Sequence, residues 1–150
     1  MDGVVLAAGE GTRMRPLTED RPKALVEVAG QTLLTHAFDA LLSVGVDRAV
    51  VVVGYRGDAI REHYGDSYRG ISVSYAEQAE QLGTAHALRQ AMPAVDAPLV
   101  VVNGDNVCRA NLGAVVERHR QPAAAATLLV ESVSREEART TGVVETDPER

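Results

Sequence analysis

Short runs that are apolar at nearly every position, separated by stretches with helical spacing, constrain this chain more than any other feature. Residues 3–8, 48–53 and 98–102 are dominated by valine, leucine and alanine. A strand that is apolar on both faces must be covered on both, the usual situation of a parallel sheet flanked by helices. The intervening segments supply those helices. Residues 31–44 place Leu33, Leu34, Ala37, Phe38, Leu41 and Leu42 at helical spacing before Gly45, and 84–92 run to Pro93. Segments 57–64 and 112–120 also read as helices. Residues 71–75 alternate like a strand, 123–130 are strand-like, and 142–145 begin one more extended segment. The predicted fold is a single doubly wound α/β domain over residues 1–150, with a mainly parallel sheet and helices on both faces. In such sheets ligands gather beyond the carboxyl ends of the strands. The residues after each strand are therefore the informative ones.

Composition narrows the function. Phe, Tyr and Trp make up 3% of the 150 residues, which argues against stacking bases on an aromatic platform. The net charge of −6 is spread along the chain and disfavours a basic polyanion-binding surface, so no nucleic-acid partner is expected. One cysteine, Cys108, excludes an internal disulfide framework and a multi-cysteine zinc site, and it is expected to be buried or half-buried. No run is long enough to span a membrane, and the N-terminus lacks a signal-peptide pattern. A soluble, cytoplasmic protein is expected, with no membrane partner. Fourteen of the fifteen basic residues are arginine, and the exception is Lys23. An ammonium differs from a guanidinium in shape and hydration, so its singular use marks position 23.

Three segments follow strands. The first is Ala8-Gly9-Glu10-Gly11-Thr12-Arg13-Met14-Arg15-Pro16-Leu17-Thr18, with Pro22-Lys23-Ala24-Leu25 close behind. Glycines admit backbone amides to an anion, and clustered N–H groups cradle phosphate. A dinucleotide fingerprint would need glycine where Met14 stands, and a Walker A loop would need Gly-Lys-Ser/Thr. The loop matches neither, yet it converges amides, Arg13 and Lys23 as a polyphosphate grip would. The second segment, 77–88, offers Gly83-Thr84 at the start of a helix and Gln78, whose amide can both donate and accept toward a base edge. The third is Asn103-Gly104-Asp105-Asn106, where an aspartate leaving a buried strand is placed to hold Mg²⁺ on a phosphate.

LAAGEGTRMRPLT with PKAL at 6–18 and 22–25, EQAEQLGTAHAL at 77–88 and NGDN at 103–106 resemble the sugar-1-phosphate nucleotidyltransferases. The Thr141-Gly142-Val143-Val144-Glu145 segment adds weaker support. The resemblance implies a Rossmann-like nucleotidyltransferase fold. It implies that Leu6, Ala7, Ala8 and Gly9 contact base and ribose, and that Gly11, Thr12 and Arg13 hold the triphosphate. Arg13 would stabilise departing pyrophosphate, and Lys23 would sit near the α-phosphate and the sugar phosphate. Gln78, Gly83 and Thr84 would select the base, with Asn103 and Gly104 beside the nucleotide. Asp105 would bind Mg²⁺ and Gly142 would approach the sugar. His86 is assigned to helix packing or to supporting a contact residue.

The implied reaction is Mg²⁺-dependent attack of a sugar-1-phosphate oxygen on the α-phosphorus of an NTP, with UTP or dTTP favoured and pyrophosphate released. The nucleophile is already anionic, so positioning and charge neutralisation matter more than a general base. The partners are then an NTP and a sugar-1-phosphate, in a chain compatible with a homo-oligomer. The family pattern continues beyond 147–150, read here as a polar turn, through further sugar contacts and a second acidic metal ligand. Residues 1–150 therefore read as the nucleotide-binding N-terminal part of a nucleotidyltransferase domain, truncated at the C-terminus. Two other readings stay open: a catalytically silent regulatory or interaction domain on the same fold, and a transferase with a non-sugar acceptor. Intact Arg13, Lys23 and Asp105 count against silence.

Overall fold

A computed structural model describes residues 1–121 and 124–145. The chain forms two compact units, Met1–Leu112 and Gly113–Arg150. The first holds a five-stranded sheet and a two-stranded ribbon. The strands are β1 (Asp2–Leu6), β2 (Glu27–Val28), β3 (Gln31–Thr32), β4 (Arg48–Val53), β5 (Ser67–Tyr68), β6 (Ile71–Glu77) and β7 (Leu99–Asn103). Helices α1 (Leu33–Leu42), α2 (Gly57–Tyr64) and α3 (Thr84–Ala91) connect them, and α4 (Leu112–His119) follows.

The sheet order is β5-β6-β4-β1-β7, parallel except for the short antiparallel edge β5. Side chains of β1 and β4 alternate between two cores, as the strand period requires. Val5, Val51 and Val53 pack with Leu34, Phe38 and Leu41 of α1 and Ile60 of α2. Val4, Val50 and Val52 pack with Ala87 and Ala91 of α3 on the opposite face. Each of these large side chains, once fully buried, stabilises the fold by roughly 1.5–3 kcal/mol. The doubly wound sheet is therefore present, with helices on both faces.

Local differences have local causes. The 31–44 stretch does not start as helix. Thr32 is in extended conformation and its hydroxyl accepts from the Thr35 N–H at 3.1 Å, so α1 begins at Leu33. The residues before it form the β2–β3 ribbon, turned by Ala29 and Gly30 at φ 53° and 79°. The expected strand at 123–130 is not formed at 124–130, and Ala123 lies outside the described residues. Its β-branched and apolar residues favour a strand, but a strand exists only through a paired ladder. Leu128, Leu129 and Val130 are exposed instead. Residues 142–145 are likewise irregular, and the turn read at 147–150 lies outside the described residues. Within the second unit a short 3₁₀ turn, Glu137–Thr140, is closed by a capping box. The Ser134 hydroxyl accepts from the Glu137 N–H, and Glu137 accepts from the Ser134 N–H.

An ion pair between a buried carboxylate and a half-exposed guanidinium pins the amino ends of β1 and β4. The Asp2 carboxylate, 6% exposed, accepts from Arg48 Nε at 3.0 Å, from Arg48 Nη2 at 2.5 Å and from the Asp96 N–H at 2.7 Å. The Arg48 hydrogen bonds hold its pKa below the ordinary aspartate value, against burial, which pushes it up; the Asp96 N–H adds to the lowering. A depressed folded-state pKa contributes stability that is complete above the unfolded value, about 3.9, and lost as pH falls through the folded value. Asp2→Asn is expected to lower unfolding free energy by about 2 kcal/mol at neutral pH. Urea midpoints of wild type and variant should converge as the pH drops below that of an ordinary aspartate. A gap that stays constant down to acid pH would contradict the assignment.

Candidate active site

The chain runs from β1 outward to β4 and β6, then returns to place β7 on the other side of β1. The crevice at the carboxyl ends of β1 and β7 is thus the point where the direction of winding reverses, the favoured ligand position in open α/β sheets. Leu6 pairs with Asn103 at the end of both strands, and the Gly104 N–H donates to the Leu6 carbonyl at 2.9 Å. A Cβ on Gly104 would lie 3.0 Å from the Ala7 Cβ and 3.1 Å from Val5 Cγ1. Glycine there lets the two outgoing chains run side by side. That delivers Asp105 directly opposite the loop after β1.

The loop itself is built around Gly11. It adopts a left-handed conformation, φ 68°, and its carbonyl accepts from the Met14 N–H at 2.9 Å and the buried Thr18 hydroxyl at 2.8 Å. These bonds fold Thr12–Met14 into one 3₁₀ turn. The N–H groups of Gly9 through Arg13 donate to no backbone carbonyl among the described residues, so they are available to an anion. The Arg13 side chain is exposed and has no hydrogen bond or ion pair among the described residues.

Lys23 enters from a second 3₁₀ turn, Lys23–Leu25, anchored by Ala24 at 2% exposure. Its Cβ lies only 2.8 Å from where a Cβ on Gly11 would stand, so the lysine stem packs directly against the loop. Its Nζ donates to Asp105 Oδ2 at 2.7 Å. Side-chain exposures are 25% for Lys23 and 38% for Asp105, so the pair is open to a ligand on one side. Leu6, Ala7, Gly9, Lys23, Ala24, Gly104 and Asp105 line a small depression of about 20 Å³. A larger cleft of about 260 Å³ lies elsewhere in the same unit, beside His36, Asp39 and Cys108. Charge convergence, not size, distinguishes the smaller one.

The segment after β6 joins the same edge. Gln81 Nε2 donates to the Ala8 carbonyl at 2.8 Å, and a Cβ on Gly54 would fall 2.8 Å from that same oxygen. Gln81 thus ties the 77–88 segment to the first loop. The sequence reading did not single it out, although it lies within the quoted motif. Thr18 was missed as a brace in the same way. Gln78 is buried at 3% exposure, and its amide nitrogen donates to the Gly83 carbonyl at 3.2 Å and to His86 Nδ1 at 3.0 Å. The donor half expected for a base edge is therefore already committed within the protein. Gly83, at φ 92°, precedes α3, which begins at the exposed Thr84.

Two expectations need correction or placement. Cys108 is exposed, because the chain after Asp105 runs over the surface without regular structure until α4. Gly142 belongs to the second unit, is exposed and has open space where a Cβ would stand. Among the described residues no helix is long and apolar enough to cross a membrane.

Comparison with known proteins places the chain in a family. A family model described as nucleotidyl transferase matches residues 2–150. UTP–glucose-1-phosphate uridylyltransferase AglF of Haloferax volcanii is 51% identical over 147 residues, covering 98% of this chain and 60% of that protein. The bifunctional protein GlmU of Heliobacterium modesticaldum is 44% identical, over 84% of this chain and 27% of that protein. The structure of HddC from Yersinia pseudotuberculosis complexed with GMP-PN superposes with a TM-score of 0.68 at 30% identity, covering 80% of this chain and 54% of that one. The chain thus spans less than two thirds of the length of these relatives. With a doubly wound sheet, an open amide loop after its first strand and a match along almost the whole sequence, the chain belongs to the nucleotidyl transferase family.

Proposed function

We propose that this chain forms the nucleotide-binding part of an enzyme that transfers a nucleotidyl group from an NTP to a sugar-1-phosphate, releasing pyrophosphate. The observation that carries the reading is the Lys23–Asp105 pair at the crevice between β1 and β7, beneath a loop with unengaged N–H groups. Those groups suit a triphosphate, and Arg13, without a hydrogen bond or ion pair among the described residues, suits the pyrophosphate that departs. Leu6, Ala7, Ala8 and Gly9 bring mainly backbone to the nucleoside, with Asn103 and Gly104 on the facing strand. Gln78, Gly83 and Thr84 read the base, and Gly142 approaches the sugar. A uridine or thymidine nucleotide with a glucose-type sugar is favoured, in keeping with the name of the 51% identical relative. The enzyme works in the cytoplasm on this reading.

The residues present fit Mg²⁺ carried in by a nucleotide. Among the described residues no group of three or more His, Cys, Asp and Glu could hold a metal unaided. Mg²⁺ is commonly held by one or two carboxylates plus substrate phosphates and water, and the half-exposed Asp105 supplies one such carboxylate. When bound, the ion neutralises phosphate charge and reduces repulsion between the two anionic substrates. Lys23 then exchanges Asp105 for phosphate oxygen, holding the α-phosphate in line with the incoming sugar phosphate. The attacking oxygen is already deprotonated, so no side chain need accept a proton.

Titration calorimetry of UTP, dTTP, CTP, ATP and GTP with Mg²⁺ tests the proposal. Selective binding of UTP or dTTP is expected, weakened about tenfold or more by Asp105→Asn, which keeps the shape and removes the charge. The same variant in Mg²⁺-free buffer should lose little affinity, because the carboxylate then only repels the triphosphate. Equal losses with and without Mg²⁺ would count against Asp105 as a metal ligand. Absence of binding to any nucleotide by folded protein would overturn the nucleotide reading.

A further inference from the structure

We infer that His86, supported by Gln90, is a positioning residue for base selection: it fixes the Gln78 amide so that only its carbonyl oxygen is offered to the ligand. The inference rests on the reading of Gln78 as a contact to the base. Its ground is an arrangement of hydrogen bonds that leaves one orientation.

The Gln78 backbone N–H donates to the Val53 carbonyl at 2.8 Å, which continues the β4–β6 pairing past its last residue. The side chain is therefore rooted in the sheet. Its amide nitrogen has two protons and two acceptors, the Gly83 carbonyl at 3.2 Å and His86 Nδ1 at 3.0 Å. Both donors are spent. The amide oxygen accepts from nothing among the described residues. No fully buried side-chain oxygen or nitrogen among them lacks a partner, so this oxygen, on a residue only 3% exposed, is not sealed from solvent.

The Gly83 carbonyl can only accept, so it forces nitrogen rather than oxygen to its side of the amide. His86 Nδ1 must then carry the lone pair, and Nε2 carries the ring proton. Gln90 Nε2 lies 3.0 Å from that ring Nε2 and 3.4 Å from the His86 carbonyl oxygen. A neutral imidazole has one lone-pair nitrogen, so both glutamines cannot donate to it. Gln90 has the weaker second bond, and it is the amide that turns over to accept from Nε2–H. The relay runs from Gln90 oxygen through His86 to Gln78 nitrogen, and each member sets the orientation of the next.

An oxygen acceptor held rigidly in this way rewards a base whose ring nitrogen carries hydrogen, as in uracil, thymine and guanine. It penalises a base presenting a lone pair at that position, as in cytosine or adenine, because two acceptors then face each other. The sequence credits Gln78 with both an amide donor and an acceptor, and the favoured UTP or dTTP rests on resemblance alone. The relay removes the donor.

The test is the ratio of UTP to CTP dissociation constants in the full chain with Mg²⁺. Ribose and triphosphate are identical in the two ligands, so whatever the phosphate loop contributes cancels. His86→Phe, which keeps bulk and removes the acceptor, should reduce the preference for UTP about fivefold, and His86→Asn, whose oxygen can stand in for Nδ1, should restore it to within about twofold. Equal weakening of both nucleotides by His86→Phe, with the ratio intact, would mean a merely structural histidine and would overturn the inference. Gln78→Ala separates the two levels. If it leaves the ratio unchanged, the base reading by Gln78 fails; if it abolishes the preference while His86→Phe does not, only the relay fails. Should His86→Phe not fold, ring nitrogen shifts of wild-type protein give the answer directly. An Nε2–H tautomer is expected at His86, and an Nδ1–H tautomer overturns the proposal.

Discussion

In the nucleotidyl transfer proposed above, Lys23→Met is expected to reduce kcat by a factor on the order of 10³ while moving the melting temperature little, the signature of a lost preorganised charge. The two halves of that expectation have separate grounds. The ammonium lies 2.7 Å from Asp105 at the crevice where the proposed reaction brings two anionic substrates together, so its removal would leave their repulsion unopposed. Its partner carboxylate is 38% exposed and can be solvated by water, so breaking the pair strands no buried charge. Methionine preserves the stem that packs beneath Gly11. Lys23→Arg should restore little, because a planar guanidinium cannot place its charge at the same point above the same stem. Steady-state pyrophosphate release gives kcat and KM, and thermal unfolding gives the control. A kcat within a few fold of wild type for Lys23→Met would remove Lys23 from the mechanism.

What could be read in the sequence follows from which interactions are local. Valine runs closed by glycine locate β1 and β4 because burial on both faces leaves few polar positions to confuse the pattern; β7 carries the same apolar run at the sheet edge, where Val101 is exposed. Arg48–Val53 and Gly57–Tyr64 are found at the bounds expected for them. The start of α1 depends on one hydroxyl, Thr32, whose capping bond reaches only three residues, yet the helical spacing of Leu33 onward hid it within a longer stretch. The segment 124–130 fails for the opposite reason. Its composition suits a strand, but pairing is decided by a distant partner that composition cannot supply.

Site residues divide along the same line. Lys23 stood out as the single lysine, and its pairing with Asp105, 82 positions away, follows once β1 and β7 are neighbours. The braces Thr18 and Gln81 escaped notice because their bonds go to the backbone carbonyls of Gly11 and Ala8, which carry no residue-type signal. The donor commitment of Gln78 was hidden similarly. It depends on the carbonyl of Gly83 and the ring of His86, and both look like ordinary features of a helix start when read along the chain.

Gly11→Val should abolish most nucleotide affinity, by about a hundredfold or more, because it strikes the loop at its one left-handed residue and at its closest packing point together. A β-branched side chain is strongly disfavoured at φ 68°, and its Cβ would lie 2.8 Å from the Lys23 Cβ and 3.0 Å from Thr18 Cγ2. Relief requires the loop to move away from Lys23, which breaks the Thr18 bond to the Gly11 carbonyl and scatters the N–H groups of Gly9 through Arg13. Of the residues between β1 and β2 only Ala7, Ala8 and Ala24 are buried members of the two hydrophobic cores, so the sheet should survive with a modest fall in melting temperature. Gly9→Ala is the matched control. A Cβ there meets nothing within 4 Å and Gly9 is not at positive φ, so stability should be unchanged and affinity should fall only as far as the methyl shields the backbone from the ligand. Calorimetry of both variants with Mg²⁺ and UTP, beside their thermal unfolding curves, separates a damaged grip from a damaged fold. Retention of near wild-type affinity by Gly11→Val would mean that the loop holds no phosphate, and the triphosphate grip would have to be sought away from the end of β1.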